Sequence, residues 1–218
     1  MGIKFDNIKK KFKNNEVLKG VTFEAKAGEV TWLVGENGCG KTTLLKAALG
    51  LISKDDGVIE FDGKPLRKVR NDIAVLYDDV PCYENVNVKT NLYILSNRSV
   101  IKKEELSKVI SEFELEKLLK QSAGSLSLGQ KHRLLMAACM LRTPKYFFLD
   151  EPTIGLDINS FNKMEKLFND LKESGSTIIV TGHDLMYLSR IADKIVYLKD
   201  GYTTYIDEFT EETLTKSK

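Results

Sequence analysis

The stretch Gly35-Glu36-Asn37-Gly38-Cys39-Gly40-Lys41-Thr42 fits the pattern G-x-x-x-x-G-K-[ST], and residue types in that order can cradle the phosphates of a nucleoside triphosphate. The glycines let the backbone curl so that successive N–H groups point at phosphate oxygens. A helix starting near Lys41 would add its positive N-terminal end. Lys41 would bond the β- and γ-phosphates and the Thr42 hydroxyl would ligate Mg²⁺, with Thr43 completing the ATP-binding stretch. At average residue usage a chain of this length carries the pattern by chance on the order of 1% of the time. A second group of reactive types is Tyr146-Phe147-Phe148-Leu149-Asp150-Glu151, an apolar run that ends in two carboxylates. Asp150 is placed to hold Mg²⁺, and Glu151 to polarise a water for in-line attack on the γ-phosphate. Many buried strands end in Asp, so this second signal gains its weight from the first.

The elements that must position these residues are readable around them. Val30-Thr31-Trp32-Leu33-Val34 is a short apolar run ending at Gly35, as a fully buried strand is, and Leu44, Leu45, Ala47, Ala48 and Leu49 follow as a helix. Further strands are expected at 58–61, 73–77, 146–149, 177–181 and 195–198. Phe161, Met164, Leu167, Phe168 and Leu171 mark one face of a helix. Alternating strands and helices predict a mainly parallel sheet covered on both faces. The segments near 3–25 and 58–61 predict an antiparallel side sheet. From about Val80 to Leu141 no strand is evident, and Val109, Ile110, Phe113, Leu118 and Leu119 predict short helices inserted into the α/β core.

Composition excludes several classes. The 33 basic and 31 acidic residues are interspersed and leave a net charge of +2, unlike a nucleic-acid-coating protein. Cys39, Cys82 and Cys139 form no CxxC pair, which argues against a zinc site or a disulfide framework and for a reducing, cytoplasmic compartment. The N-terminus lacks the apolar core of a signal peptide. The longest apolar run, Leu134 to Leu141, falls far short of the roughly 18 residues of a membrane helix. Any membrane role would therefore run through a partner.

About twenty residues before the two carboxylates stands Leu126-Ser127-Leu128-Gly129-Gln130. It resembles the signature of the ABC ATPase family, usually Leu-Ser-Gly-Gly-Gln. Gly155-Leu156-Asp157 resembles the loop that contacts the opposing subunit, and His183 resembles the switch histidine. Taken singly, Ser127 could be a helix N-cap, Asp157 a turn residue and His183 structural; their joint order carries the resemblance, which extends over essentially the whole chain. It implies an α/β fold: a P-loop (RecA-like) core with an antiparallel β subdomain (about 1–79 and 143–218) and an inserted α-helical subdomain (about 80–142). It further implies two subunits, identical or related, that sandwich two ATP molecules with Mg²⁺. Ser127, Gly129 and Gln130 of one subunit would then meet the ATP on the other's P-loop, and His183 would steady the attacking water. Phe12 matches the aromatic that stacks on adenine, with an ordinary core position as the alternative.

Two positions depart from the family pattern. Leu128 replaces the usual glycine, a form found among drug and antimicrobial-peptide exporters. Asp78 stands where a glutamine normally touches Mg²⁺ and senses the membrane partner; it either approaches the metal or points away as a loop residue. The expected function is an ATP-hydrolysing subunit on the cytoplasmic face of the membrane that drives transport, in the export direction, by a separate transmembrane subunit. A soluble ABC ATPase of an assembly process is the alternative.

Overall fold

The computed structural model describes residues 1–76, 82–98, 100–153 and 158–208, with backbone only at 160, 185 and 205–208. Two sheets organise it. The smaller is antiparallel, in the order β2-β1-β4, built from β1 (Gly2–Phe12), β2 (Asn15–Lys26) and β4 (Asp56–Phe61). The larger has the order β5-β6-β7-β3-β8-β9. Its strands are β3 (Val30–Val34), β5 (Ile73–Leu76), β6 (Tyr146–Leu149), β7 (Thr177–Thr181), β8 (Lys194–Lys199) and β9 (Tyr202–Glu208). All neighbours in it are parallel except β8 and β9. The expected strands are present, and β9 is an addition: Asp200 and Gly201, both at positive φ (51° and 83°), turn the chain back into an edge hairpin.

The apolar runs are continuous because both faces of the parallel strands are covered. Period-two alternation sends Trp32, Phe147, Leu149, Ile178 and Val180 into one core with α4 (Leu128–Leu141) and α5 (Ile158–Glu173). It sends Leu33, Tyr146, Phe148, Ile179 and Val196 into the other, beneath α1 (Lys41–Ala48) and the small sheet. Fully burying side chains of this size contributes roughly 1.5–3 kcal/mol each. Tyr146 and Lys145 also tie the two sheets, for the Tyr146 hydroxyl donates to Asp62 Oδ2 at 2.8 Å and the Lys145 ammonium pairs with the same oxygen. Burial alone would raise the Asp62 carboxyl, but these two donors outweigh it and hold the pKa below the usual value.

Between β5 and β6 the described residues form helices and no strand: α2 (Val88–Ser96), α3 (Lys103–Glu112) and α4, with α2 and α3 packed on α4. The Asn87 side chain caps α2 by accepting from Thr90 N at 2.8 Å. Buried Asn91 fixes the entry loop, accepting from Tyr83 N at 2.8 Å and donating to Tyr83 O at 3.0 Å. No described helix is long and apolar enough to cross a membrane. The last helix among the described residues, α6 (Leu185–Ile191), follows β7.

Candidate active site

Three parallel strands set the site. β7 lies between β6 and β3, with Leu33 opposite Thr181 and Leu149 opposite Val180. Their carboxyl ends are therefore level, and the loops that leave them share one edge of the sheet, where open α/β sheets bind ligands.

From β3 the chain enters the loop at Gly35, whose backbone passes so close to its neighbours that a Cβ there would lie 2.3 Å from Leu198 O and 2.6 Å from Cys39 Sγ. Only glycine fits. The loop ends at Gly40, the left-handed N-cap of α1 with φ 112°. Glu36, Asn37 and Gly38 are exposed along its rim, as is Thr42 at the start of α1, while Thr43 is half-buried. The Lys41 ammonium donates to Gly35 O at 2.6 Å and to Glu36 O at 3.1 Å, which holds the only charge of this helix's first turn over the loop. A helix N-terminus, glycine-shaped backbone and an ammonium converge there, the requirements for a row of phosphates.

Beside it, β6 delivers Asp150 and Glu151. The Thr181 hydroxyl donates to Asp150 Oδ1, and Asp150 N donates to Leu76 O at 2.7 Å. Glu151 has φ 51°, a left-handed conformation that costs a non-glycine residue about 1 kcal/mol or more. That strain turns its carboxylate toward the end of β7. There His183 Nδ1 donates to Glu151 Oε1 at 3.0 Å, the tautomer an ionised carboxylate requires. The imidazole is 82% exposed, whereas Glu151 Oε2 is buried and has no hydrogen-bond partner among the described residues. A buried carboxylate oxygen left without a donor is a polar group whose desolvation the described residues do not offset, and a donor from solvent or substrate would satisfy it once the site opens to admit one.

Phe12 is 45% exposed, so it is not a core residue, and the Lys10 ammonium lies 5.2 Å from its ring centroid. Ser127 caps α4 in a capping box: its Oγ accepts from Gln130 N at 3.3 Å, and Gln130 Oε1 accepts from Ser127 N at 2.9 Å. Leu128 is 52% exposed and Gly129 half-buried at this tip. Among the described residues no hydrogen bond or ion pair joins Ser127, Gly129 or Gln130 to the 35–42 loop. The structure thus gathers the loop, Asp150, Glu151 and His183, and leaves the signature residues on a separate helix tip. Asp78 and residues 155–157 lie outside the described residues. Thr181 and Trp32, which anchor Asp150 and the His183 loop, were not expected from the sequence; the only signal was a polar residue at the end of β7 and an aromatic residue in the middle of β3, near the motifs.

One consequence concerns stability alone. Ser127→Ala removes a cap that typically contributes about 1 kcal/mol. In a chain of this size that lowers Tm by roughly 2–4 °C, readable by calorimetry. An unchanged Tm would show the box to be idle.

Thr42 and Asp150 are oxygen donors of the kind Mg²⁺ takes, and no group of three His, Cys, Asp or Glu side chains among the described residues could cage a metal alone. That donor set fits an ion carried by phosphates and water.

The family and the fold are shown by comparison with known proteins. Residues 18–154 match the family model described as ABC transporter. The chain is 34% identical over 217 residues to the ribose import ATP-binding protein RbsA of Bacillus licheniformis, spanning 93% of this chain but only 44% of that protein. It is 30% identical over 200 residues to the lantibiotic transport ATP-binding protein SrtF of Streptococcus pyogenes, spanning 91% and 87% of the two chains. Among solved structures, an ATP-binding subunit of an ABC transporter superposes with TM-score 0.89 at 24% identity, covering 99% of this chain and 93% of that one. CbiO1 of Clostridium perfringens, part of an ABC transporter complex, gives 0.83 at 26% identity, covering 99% and 91%. The chain belongs to the ABC transporter family, as one of its ATP-binding ATPase domains.

Proposed function

We propose that the chain is the motor subunit of an ABC exporter, hydrolysing ATP at the loop 35–42 and passing the resulting motion to a separate transmembrane subunit. The single observation that carries the chemistry is the Glu151–His183 pair beside that loop, with one buried carboxylate oxygen unused. Loop N–H groups and the N-terminus of α1 bind the phosphates, and Lys41 exchanges its loop carbonyls for β- and γ-oxygens. Thr42 and Asp150 would hold Mg²⁺, which would offset phosphate charge when bound. Asp78 either joins them or serves the loop toward the membrane subunit. Glu151 takes hydrogen-bond donation from the attacking water and orients it in line. His183, hydrogen-bonded to Glu151 through Nδ1, presents Nε2 to the γ-phosphate. Phe12 offers a ring face to adenine. In keeping with the family resemblance, a second subunit, identical or related, supplies Ser127, Gly129 and Gln130 over the γ-phosphate.

The export direction rests on Leu128, the form found in the signature of some exporters. SkfE, a peptide export ATP-binding protein of Bacillus subtilis, is 29% identical to the chain and is in keeping with that direction. The subunit sits on the cytoplasmic face through its partner. The test is co-purification of the tagged chain from its native cells with a membrane-spanning protein. Association, and an ATPase rate that changes when that protein is reconstituted in vesicles, are expected. A chain that neither binds it nor responds belongs to the soluble alternative.

A further inference from the structure

We infer that Trp32 is a positioning residue for hydrolysis: its indole N–H fixes the Gly182 carbonyl, and with it the peptide that carries His183 onto Glu151. The inference rests on the roles proposed for Glu151 and His183. Trp32 is the only tryptophan of the chain and sits in β3, paired with Val180 of β7 and Ile195 of β8. The side chain is 1% exposed, yet its one polar atom is satisfied, with Nε1 donating to Gly182 O at 3.0 Å. Packing needs no such donor; a buried strand at this position is served by Val, Leu or Phe. What the indole adds is a hydrogen bond from the phosphate-binding strand to the residue immediately before His183.

Gly182 shows why that bond matters. Its φ of 156° is one that side-chain-bearing residues rarely adopt, and a Cβ there would lie 2.7 Å from Leu188 Cδ1 and 3.3 Å from Glu151 Oε2. The glycine makes room for the Glu151 carboxylate, and its absent side chain leaves the peptide free to rotate. The His183 side chain is 82% exposed, so packing does not fix it. The chain then leaves for α6 through Asp184, whose side chain accepts from Tyr187 N at 3.4 Å. Between β7 and that cap, the Trp32 hydrogen bond is the side-chain contact on the Gly182 carbonyl. It runs from β3 through Gly182 and His183 to Glu151, so the strand that bears the phosphate loop also sets the histidine.

The test is Trp32→Phe, measured alone and with His183→Ala. Trp32→Phe is expected to lower kcat about tenfold to hundredfold with KM for ATP nearly unchanged, since small misplacements of a reacting group cost that much. In the His183→Ala background it should lower kcat by less than about twofold further, because residues acting as a unit are not additive. Equal losses in both backgrounds, or a change confined to KM or to Tm, overturn the inference. A His183→Ala variant with wild-type turnover would instead overturn the role proposed for His183. Should Trp32→Phe not fold, benzothienylalanine at position 32 keeps the ring shape and deletes the N–H. Wild-type kcat with that residue overturns the inference, and a lowered kcat with normal Tm supports it.

Discussion

Replacing Glu151 with glutamine is expected to retain ATP binding and lower turnover by about 10²–10⁴, the usual loss when one water-positioning group is removed. The geometry says why so small a change does so much. The amide keeps the size of the carboxylate, so the strained backbone at φ 51° and the fit against Gly182 persist. What changes is the buried oxygen: with Oε1 taken by His183, a neutral amide offers the water a weaker acceptor or a competing donor. Unhydrolysed Mg-ATP should then hold two subunits together, and size-exclusion chromatography would show a dimer that requires nucleotide. Wild-type phosphate release from the variant removes Glu151 from its role.

The second large effect is expected at Lys41. Lys41→Ala should weaken ATP binding by roughly 10–100-fold, the usual worth of a charge-assisted hydrogen bond, and bring hydrolysis to background. The fold should survive, because the bonds lost are to the Gly35 and Glu36 carbonyls of the loop rim, and α1 stays anchored by buried Leu44, Leu45 and Ala48. Isothermal titration with ATP alongside circular dichroism separates the two outcomes. Lys41→Arg is expected to fail as well, since a planar guanidinium does not fit a pocket shaped for one ammonium. Unchanged ATP affinity in a folded Lys41→Ala would mean that the phosphates bind elsewhere.

Much of the scaffold was legible because its signals are local. The run 30–34 followed by a glycine-rich loop and an apolar helix is a strand–loop–helix unit in sequence order, and the parallel sheet follows from repetition of that unit. The edge strand β9 was missed although Asp200-Gly201 is a strong hairpin-turn signal, because its sequence Tyr202-Thr203-Thr204-Tyr205-Ile206-Asp207-Glu208 shows no regular alternation of apolar and polar residues. Helix α2 announces itself mainly through the Asn87 cap, which periodicity does not see. At the site, Asp150 and Glu151 could be read from their place at a strand end. The left-handed backbone at Glu151, the hydroxyl of Thr181 on Asp150 and the indole of Trp32 on Gly182 could not. Each joins residues at least 30 positions apart or depends on a dihedral angle, and neither is written in residue types.

The central claim is that the loop 35–42 delivers a γ-phosphate to Glu151 and His183, and a structure of the Glu151→Gln variant grown with Mg-ATP tests it most directly. The triphosphate is expected along the loop, with the Lys41 ammonium turned from Gly35 O to the β- and γ-oxygens and His183 Nε2 within hydrogen-bond distance of the γ-phosphate. A triphosphate bound away from the loop, or a γ-phosphate beyond the reach of both Gln at 151 and His183, would contradict the account.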